Sequence, residues 1–457
     1  MWNKICENIF TEFTKKLNSE NIRYFVLRNY EGLPETNTSK DVDIIVEPGF
    51  LKRSKEILLE IYKENEMDYY YEVVYGRVHC IHGMSTINEL GIHIDLIKGY
   101  LAKGYEVYTF EELYKHVIQY KNFYVLNEFM NGMMLLIYKQ FGYKKPILKK
   151  EYRETIKNTF EKYPREFEEE LTKITNKKLA PNIIENIKDN DFDEVIGLNK
   201  KFTRSIRSYV FKRRPIITIF RIISFFFQKV WRIGIGYRNY RRVIAIIAPD
   251  GAGKTTFLDG LKNKIENYYV SDENDEKIHL YHFRPELFPN LGEMGEKVGV
   301  MEQDRDFTNP HRGGTANPVS SFFRISYYTL DYLIGWQKYI RQDVQYDKFS
   351  IFDRYSYDLL VDPIRTKLNL PRWMRRFFVW LTPKPPLVFV LCARPQIIYE
   401  RKQELEFDEI ERQMKEYSKL AETKKRFVKI NAEVSTDEMT DEAIQIILDK
   451  YAKKWSN

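Results

Sequence analysis

Residues 242–256, RVIAIIAPDGAGKTT, limit what this chain can fold into more than any other stretch. An apolar strand, Val243–Ile247, runs into a turn carrying Gly251 and Gly253. Lys254, Thr255 and Thr256 then open a helix continued by Phe257, Leu258 and Leu261. A strand that passes through a glycine turn straight into a helix belongs to a parallel sheet with crossover helices. The spacing is that of a phosphate-binding loop. Backbone N–H groups of Asp250, Gly251, Ala252 and Gly253 turn inward around a phosphate, and the helix N-terminus adds positive partial charge. Lys254 reaches the β/γ-phosphates, and Thr255, with Thr256 beside it, is placed to hold Mg²⁺. Ala248 stands where GxxxxGK[ST] has its first glycine. The other reading of the same residues is a glycine turn that only joins strand to helix.

The strand–helix alternation continues beyond the loop, with strands expected at 278–283, 349–352, 387–391 and 427–430 and a last helix from about 436 to 454. Ligands in such sheets sit at the carboxyl ends of the strands. Arg284 follows the first of these strands, in HFRP, and Asp353 and Arg354 follow the second, in FDRY. Asp353 can hold a water of a Mg²⁺ shell, and Arg354 can reach phosphate oxygens bidentately. After the next strand comes a charged segment with Arg401, Lys402 and Arg412, which reads as a lid over a triphosphate. The loop itself has no arginine, so the cation for the transferring group is expected from the lid, Arg401 before Arg412.

These motifs give the half from 243 to 454 a resemblance to the thymidylate kinases among the nucleoside-monophosphate kinases. PDGAGKTT matches that family's loop, FDRYSYD its DRY motif, and the tail YSKLAETKKRFVKINAEVSTDEMTDEAIQIIL its last helix, strand and helix. The resemblance implies ATP and Mg²⁺ as cofactors and a role for Asp250 facing the acceptor's sugar. It also marks departures. Asp331 is kept in the family's F-x-x-[DN]-R segment, but Tyr332 stands in place of Arg, and Asp362 and Pro363 replace the Tyr-Gln pair that reads thymine. A site without those partners discriminates poorly for that base. Arg284, His311, Arg312 and Arg324 are candidates for gripping an anionic acceptor, each equally readable as a surface cation.

The N-terminal part reads as a smaller α/β unit: a helix through Ile5, Ile9, Phe13 and Leu17, a strand at 24–27, and a second strand, DVDIIV, at 41–46. Alternation puts Asp41 and Asp43 on one face, and the later strand GIHIDLI brings Asp95. Three carboxylates on neighbouring strands suit one or two Mg²⁺ ions. This arrangement resembles the polymerase-beta-type nucleotidyltransferases, with Arg28 and Asn29 where that family has its glycine pair. The plainer reading leaves Asp41 and Asp43 beside Arg28 and Lys40 in a domain kept for binding. His79, Cys80, His82 and His93 are not expected to hold zinc, because alternation along VHCIH is taken to separate Cys80 from the two histidines. Helical spacing over 126–200 completes this domain.

Between the two halves, thirteen Lys and Arg and no acid lie between 200 and 242, so the rest of the chain is net acidic although the whole carries +8. The apolar run 216–227 is broken by Arg221 and shorter than the ~20 residues a bilayer span needs. Three readings stand: a basic amphipathic segment in the headgroup plane of an anionic membrane, a helix between domains with its cations facing solvent, or a nucleic-acid contact, the last being the least expected. Pro215 is expected to break the segment in two.

A length of 457 residues allows two or three domains. The division expected is 1–200 for the nucleotidyltransferase-like domain with its helical extension, 201–241 for a basic linker, and 242–457 for a P-loop kinase domain with a parallel sheet. Cys6, Cys80 and Cys392 form no CxxC pair, which favours a reducing cytoplasm, and Glu7 and Glu12 argue against a signal peptide. The function expected is Mg-ATP-dependent phosphorylation of a small molecule, a nucleotide or a sugar or polyol for surface polysaccharide, with a second, nucleotidyl-transfer activity in the first domain. The competing class is an ATP-gated binding module that turns nothing over.

Overall fold

The computed structural model describes residues 2–37, 41–99, 102–141, 148–236, 242–269, 277–289, 316–345 and 348–455. The chain is mixed α/β and divides into two compact units, residues 1–232 with 454–457, and 233–453.

In the first unit, β1 (Tyr24–Val26), β2 (Val42–Val46), β3 (Tyr69–Tyr75), β4 (Val78–Ser85), β5 (Leu90–Ile97), β6 (Val117–Tyr120) and β7 (Phe123–Leu126) form a mixed sheet. With β13 (Lys453–Lys454) its order is β13-β3-β4-β5-β2-β1-β7-β6. Helices α1 (Lys4–Ser19) and α2 (Leu51–Glu64) cover one face, where Val26, Ile44, Val46 and Ile94 join their apolar sides. The other face carries Phe25, Leu27, Ile45 and Ile97. It packs under α3 (Phe110–Tyr114), α4 (Glu128–Gln140), α5 (Lys150–Lys162), α6 (Pro164–Ile174), α7 (Leu179–Lys188), α8 (Phe192–Gly197) and α9 (Asn199–Arg213). Cover on both faces is why every residue of β2 is buried and why VDIIV shows no polar alternation beyond its aspartate. Phe202, Ile206 and Val210 of α9 belong to this core, so the first part of the basic stretch is packed structure. Pro215 opens a separate helix, α10 (Pro215–Gly236), as proline at a first helical position does.

In the second unit, β8 (Val243–Ile247), β9 (Ile278–His282), β10 (Phe349–Asp353), β11 (Leu387–Cys392) and β12 (Phe427–Asn431) form an all-parallel sheet in the order β12-β11-β8-β10-β9. Its helices are α11 (Lys254–Tyr269), α12 (Pro318–Gly335), α13 (Arg341–Gln345), α14 (Asp358–Val361), α15 (Arg372–Leu381), α16 (Pro395–Arg401), α17 (Phe407–Thr423) and α18 (Thr436–Tyr451), with a π-helical turn, Trp336–Ile340, joining α12 to α13. β8 lies at the centre, between β10 and β11, so the loop that follows it opens where the strand order reverses. Among the described residues no helix is long and apolar enough to cross a membrane.

Candidate nucleotide site and a carboxylate cluster

The loop between β8 and α11 places Gly251 at φ 83° and Gly253 at φ 88°, the left-handed region that glycine enters without cost. Gly251 is needed for a second reason. A Cβ there would come within 3.0 Å of the Ile398 carbonyl and 3.1 Å of Lys402 Cβ, so α16 and the residue after it lie directly on the loop. Lys254 closes the loop on itself: its Nζ donates to the carbonyls of Ala248 at 3.1 Å and Pro249 at 2.8 Å. Burial and the neighbouring Arg354 push the ammonium down to about 8, against the pull of Asp250 and Asp353.

Asp250 sits between cations. Arg354 donates to its Oδ1 and Arg365 to its Oδ2, and Lys254 Nζ is 3.4 Å away. Burial alone would raise the carboxyl; Arg354, Lys254 and Arg365 together hold it well below the usual range. Arg354 stands at φ 74° directly after β10 and forks between Asp250 and Asp358 Oδ2, the latter at 2.8 Å; Tyr417 donates to the other oxygen of Asp358 at 3.0 Å. Asp353, one residue earlier, lies opposite Ile246 across the β8–β10 register. Its Oδ2 is 3.4 Å from His282 Nδ1, and its Oδ1 is buried with no hydrogen-bond partner among the described residues. A buried carboxylate oxygen left in this state fits an ion or an ion-bound water. Thr255 is exposed at the start of α11, so its hydroxyl is open to the same ligand.

The other candidates divide. Arg401 ends α16 with Nη1 3.8 Å from the position a Cβ on Gly253 would take, and donates to the Ala432 carbonyl at 3.0 Å. Arg412 on α17 is turned elsewhere, to Glu409 at 2.6 and 2.7 Å and the Val361 carbonyl at 2.8 Å. Arg284 and Asp331 are brought together, but on each other. Arg284 Nη1 donates to Asp331 Oδ2 at 2.7 Å and to the Phe288 carbonyl at 2.8 Å, while the backbone N–H groups of Glu286 and Phe288 donate to the same carboxylate. Arg284 is 3% exposed and Asp331 not at all, so the pair pins the loop after β9 and neither side chain is presented to an acceptor. Arg324 is half-buried on α12, its Nε without a hydrogen-bond partner among the described residues. His311 and Arg312 lie outside the described residues. Sequence reasoning missed Arg365 and Asp358. Asp358 stood in the quoted FDRYSYD, four residues from Arg354, whereas nothing local marked Arg365 as a partner of Asp250.

In the first unit, Asp43 and Asp95 are register partners on parallel β2 and β5, and with Asp41 they offer ligand atoms within 4.8 Å of one another. Arg28 Nε donates to Asp43 Oδ2 at 2.7 Å, and its guanidinium lies 4.5 Å from the Tyr138 ring centre. His93 Nε2 is 2.7 Å from Asp95 Oδ1. Burial pushes Asp43 up to about 6 with help from Asp41 and Asp95, against the opposing pull of Arg28. A buried carboxylate with raised affinity for a proton is one that a divalent cation can relieve, so the donor set fits Mg²⁺. The reading of VHCIH is corrected. Cys80 and His82 are two apart and share a face, while His79 is the residue that alternation sets apart. The register pairs Cys80 with Asp95 and His82 with His93, stacking the two imidazoles 3.7 Å apart and gathering Cys80, His93 and Asp95 within metal-ligand reach.

No protein-family model matches the chain, and no curated protein matches it in sequence.

Proposed function

We propose that the second unit is a Mg-ATP-dependent phosphotransferase of the thymidylate and nucleoside-monophosphate kinase type, acting on a small-molecule acceptor. One observation carries the reading: a desolvated Lys254 in the two-glycine loop after β8, and at the end of the adjacent β10 an Asp353 oxygen without a hydrogen-bond partner among the described residues. On this reading phosphate oxygens replace the Ala248 and Pro249 carbonyls at the Lys254 ammonium, and the N–H groups of the loop and of α11 receive the remaining charge. Asp353 and Thr255 would hold Mg²⁺ or its waters; the ion, when bound, neutralises charge between the β- and γ-phosphates. Arg354, fixed by Asp358, keeps Asp250 in position to accept a hydrogen bond from the acceptor's hydroxyl, with Arg365 beside it for an anionic group. Of the two lid arginines, Arg401 is the one that lies against the loop, at Gly253, and would meet the transferring group. Arg412 would first have to leave Glu409 and Val361.

The altered Tyr332, Asp362 and Pro363 favour an acceptor other than dTMP, and a fused transferase-like unit fits a sugar or polyol, or its phosphate, on the way to an activated precursor. The test is mass spectrometry of the full chain with Mg-ATP and a panel of nucleoside monophosphates, sugars, polyols and their phosphates. Transfer to a sugar or polyol compound supports the proposal; transfer to dTMP alone refutes the acceptor assignment, and hydrolysis-free binding with no transfer to any acceptor favours an ATP-gated module.

A second reading concerns the first unit, where the convergence of Asp41, Asp43 and Asp95 favours nucleotidyl transfer. Mn²⁺ binding followed by paramagnetic resonance should be lost in Asp95→Asn if the cluster holds the ion, and full occupancy in that variant would refute it.

A further inference from the structure

Helix α10 is mounted with its polar side inward and its apolar side out. At 100° per residue, Ile216, Ile219, Phe220, Ile223, Phe226 and Phe227 fall within about 120° of one another. All six are exposed, Ile216, Phe220, Phe226 and Phe227 by 71%, 68%, 64% and 70%. The side that meets the first unit carries Thr218, Arg221 and Ile222. Arg221 Nη1 donates to Glu106 Oε2 at 2.7 Å, Thr218 is fully buried, and Gly104 takes φ 91° where a Cβ would lie 2.8 Å from the Ile222 nitrogen. Against the first unit, then, the helix turns Arg221 inward and its phenylalanines outward.

From this we infer that α10 is a docking surface for an anionic lipid bilayer, on which it lies in the headgroup plane with the Phe220–Phe227 stripe in the acyl boundary. Charge complementarity selects this occupant. No acid occurs between 200 and 242, Lys212 near the end of α9 and Lys229 on α10 are exposed and bracket the stripe in sequence, and an apolar face accompanied by cations is what an interfacial helix needs. The 22-residue helix is interrupted by Arg221, Gln228 and Lys229 and does not meet the requirement for a span, so it lies on the bilayer instead of crossing it. The inference is independent of the kinase reading, since it uses no residue of the loop.

The experiment is co-sedimentation of the full chain with vesicles of phosphatidylcholine alone and with about 30 mol% phosphatidylserine, at low and high salt. The expected result is binding to the anionic vesicles that weakens with salt and falls at least tenfold in the double variant Phe220→Ser/Phe227→Ser. Both side chains point away from the first unit, so circular dichroism should be unchanged; a second variant, Lys212→Glu/Lys229→Glu, leaves the apolar stripe intact and should lose only the preference for phosphatidylserine. Equal binding by wild type and the phenylalanine variant, or no binding to either vesicle, overturns the inference. So does concentration-dependent self-association in light scattering that the phenylalanine variant abolishes, which would assign the stripe to a second copy of the chain.

Discussion

Lys254 is the residue on which the nucleotide reading turns, and its proton is measurable. Because burial and Arg354 lower it from an ordinary 10.5 to about 8, the folded chain holds fewer protons than the unfolded one between those values. This residue therefore makes stability rise with pH across that window, and below about 8 its charged form is a cost that phosphate relieves. Mg-ATP binding at about pH 8.5 should take up a proton, seen in calorimetry as a heat that varies with the buffer's ionisation enthalpy, and the uptake should vanish near pH 7. Gly251 tests the same loop from its backbone. Gly251→Ala forces a side chain into the left-handed region and against the Ile398 carbonyl, at a cost of about 1–3 kcal/mol. Equilibrium dialysis should show ATP binding lost before the fold is. The loop was legible because its residue types and spacing are themselves the geometry. Arg365 was not, because its partner Asp250 lies more than a hundred positions earlier and only the tertiary fold joins them.

Among the elements, α12 shows what pattern reading cannot separate. Asp331 looked like a kept specificity residue, and within the fold it is the acceptor of one guanidinium and two backbone N–H groups. Removing it with Asp331→Ala leaves Arg284 buried without its counter-charge, which should cost about 3–5 kcal/mol in chemical denaturation; a loss under about 1 kcal/mol would return Asp331 to the candidate acceptor site. Strands were readable where both faces are covered, as in VDIIV and LVFVLC, since a continuous apolar run bounded by turns has few other fates. The β6–β7 hairpin was not. Its turn uses Lys121 at φ 48° instead of the Asn-Gly that signals a tight turn, and no residue of β6 is buried. Across β4 and β5 the error was one of phase, because a shift of one residue moves Cys80 to the opposite face.

For the whole molecule, two compact units each with its own core should unfold in two calorimetric transitions, although the chain's end returns to the first unit, where Trp455 stacks on Tyr70 at 4.4 Å. Mg-ATP at a hundredfold excess over its Kd should raise only the second unit's transition, by a linkage of about 2.7 kcal/mol, and Trp455→Ala should lower only the first. A single transition shifted by both would contradict independent cores. Whether the loop, Asp353 and Asp250 form a phosphoryl-transfer site is decided by following γ-³²P from Mg-ATP to acceptor in the full chain, beside Lys254→Ala and Asp353→Asn. Label should appear on an acceptor with wild type and fall by at least about 100-fold in either variant. Label transferred equally well by Lys254→Ala, or never leaving ATP with any acceptor, would contradict it.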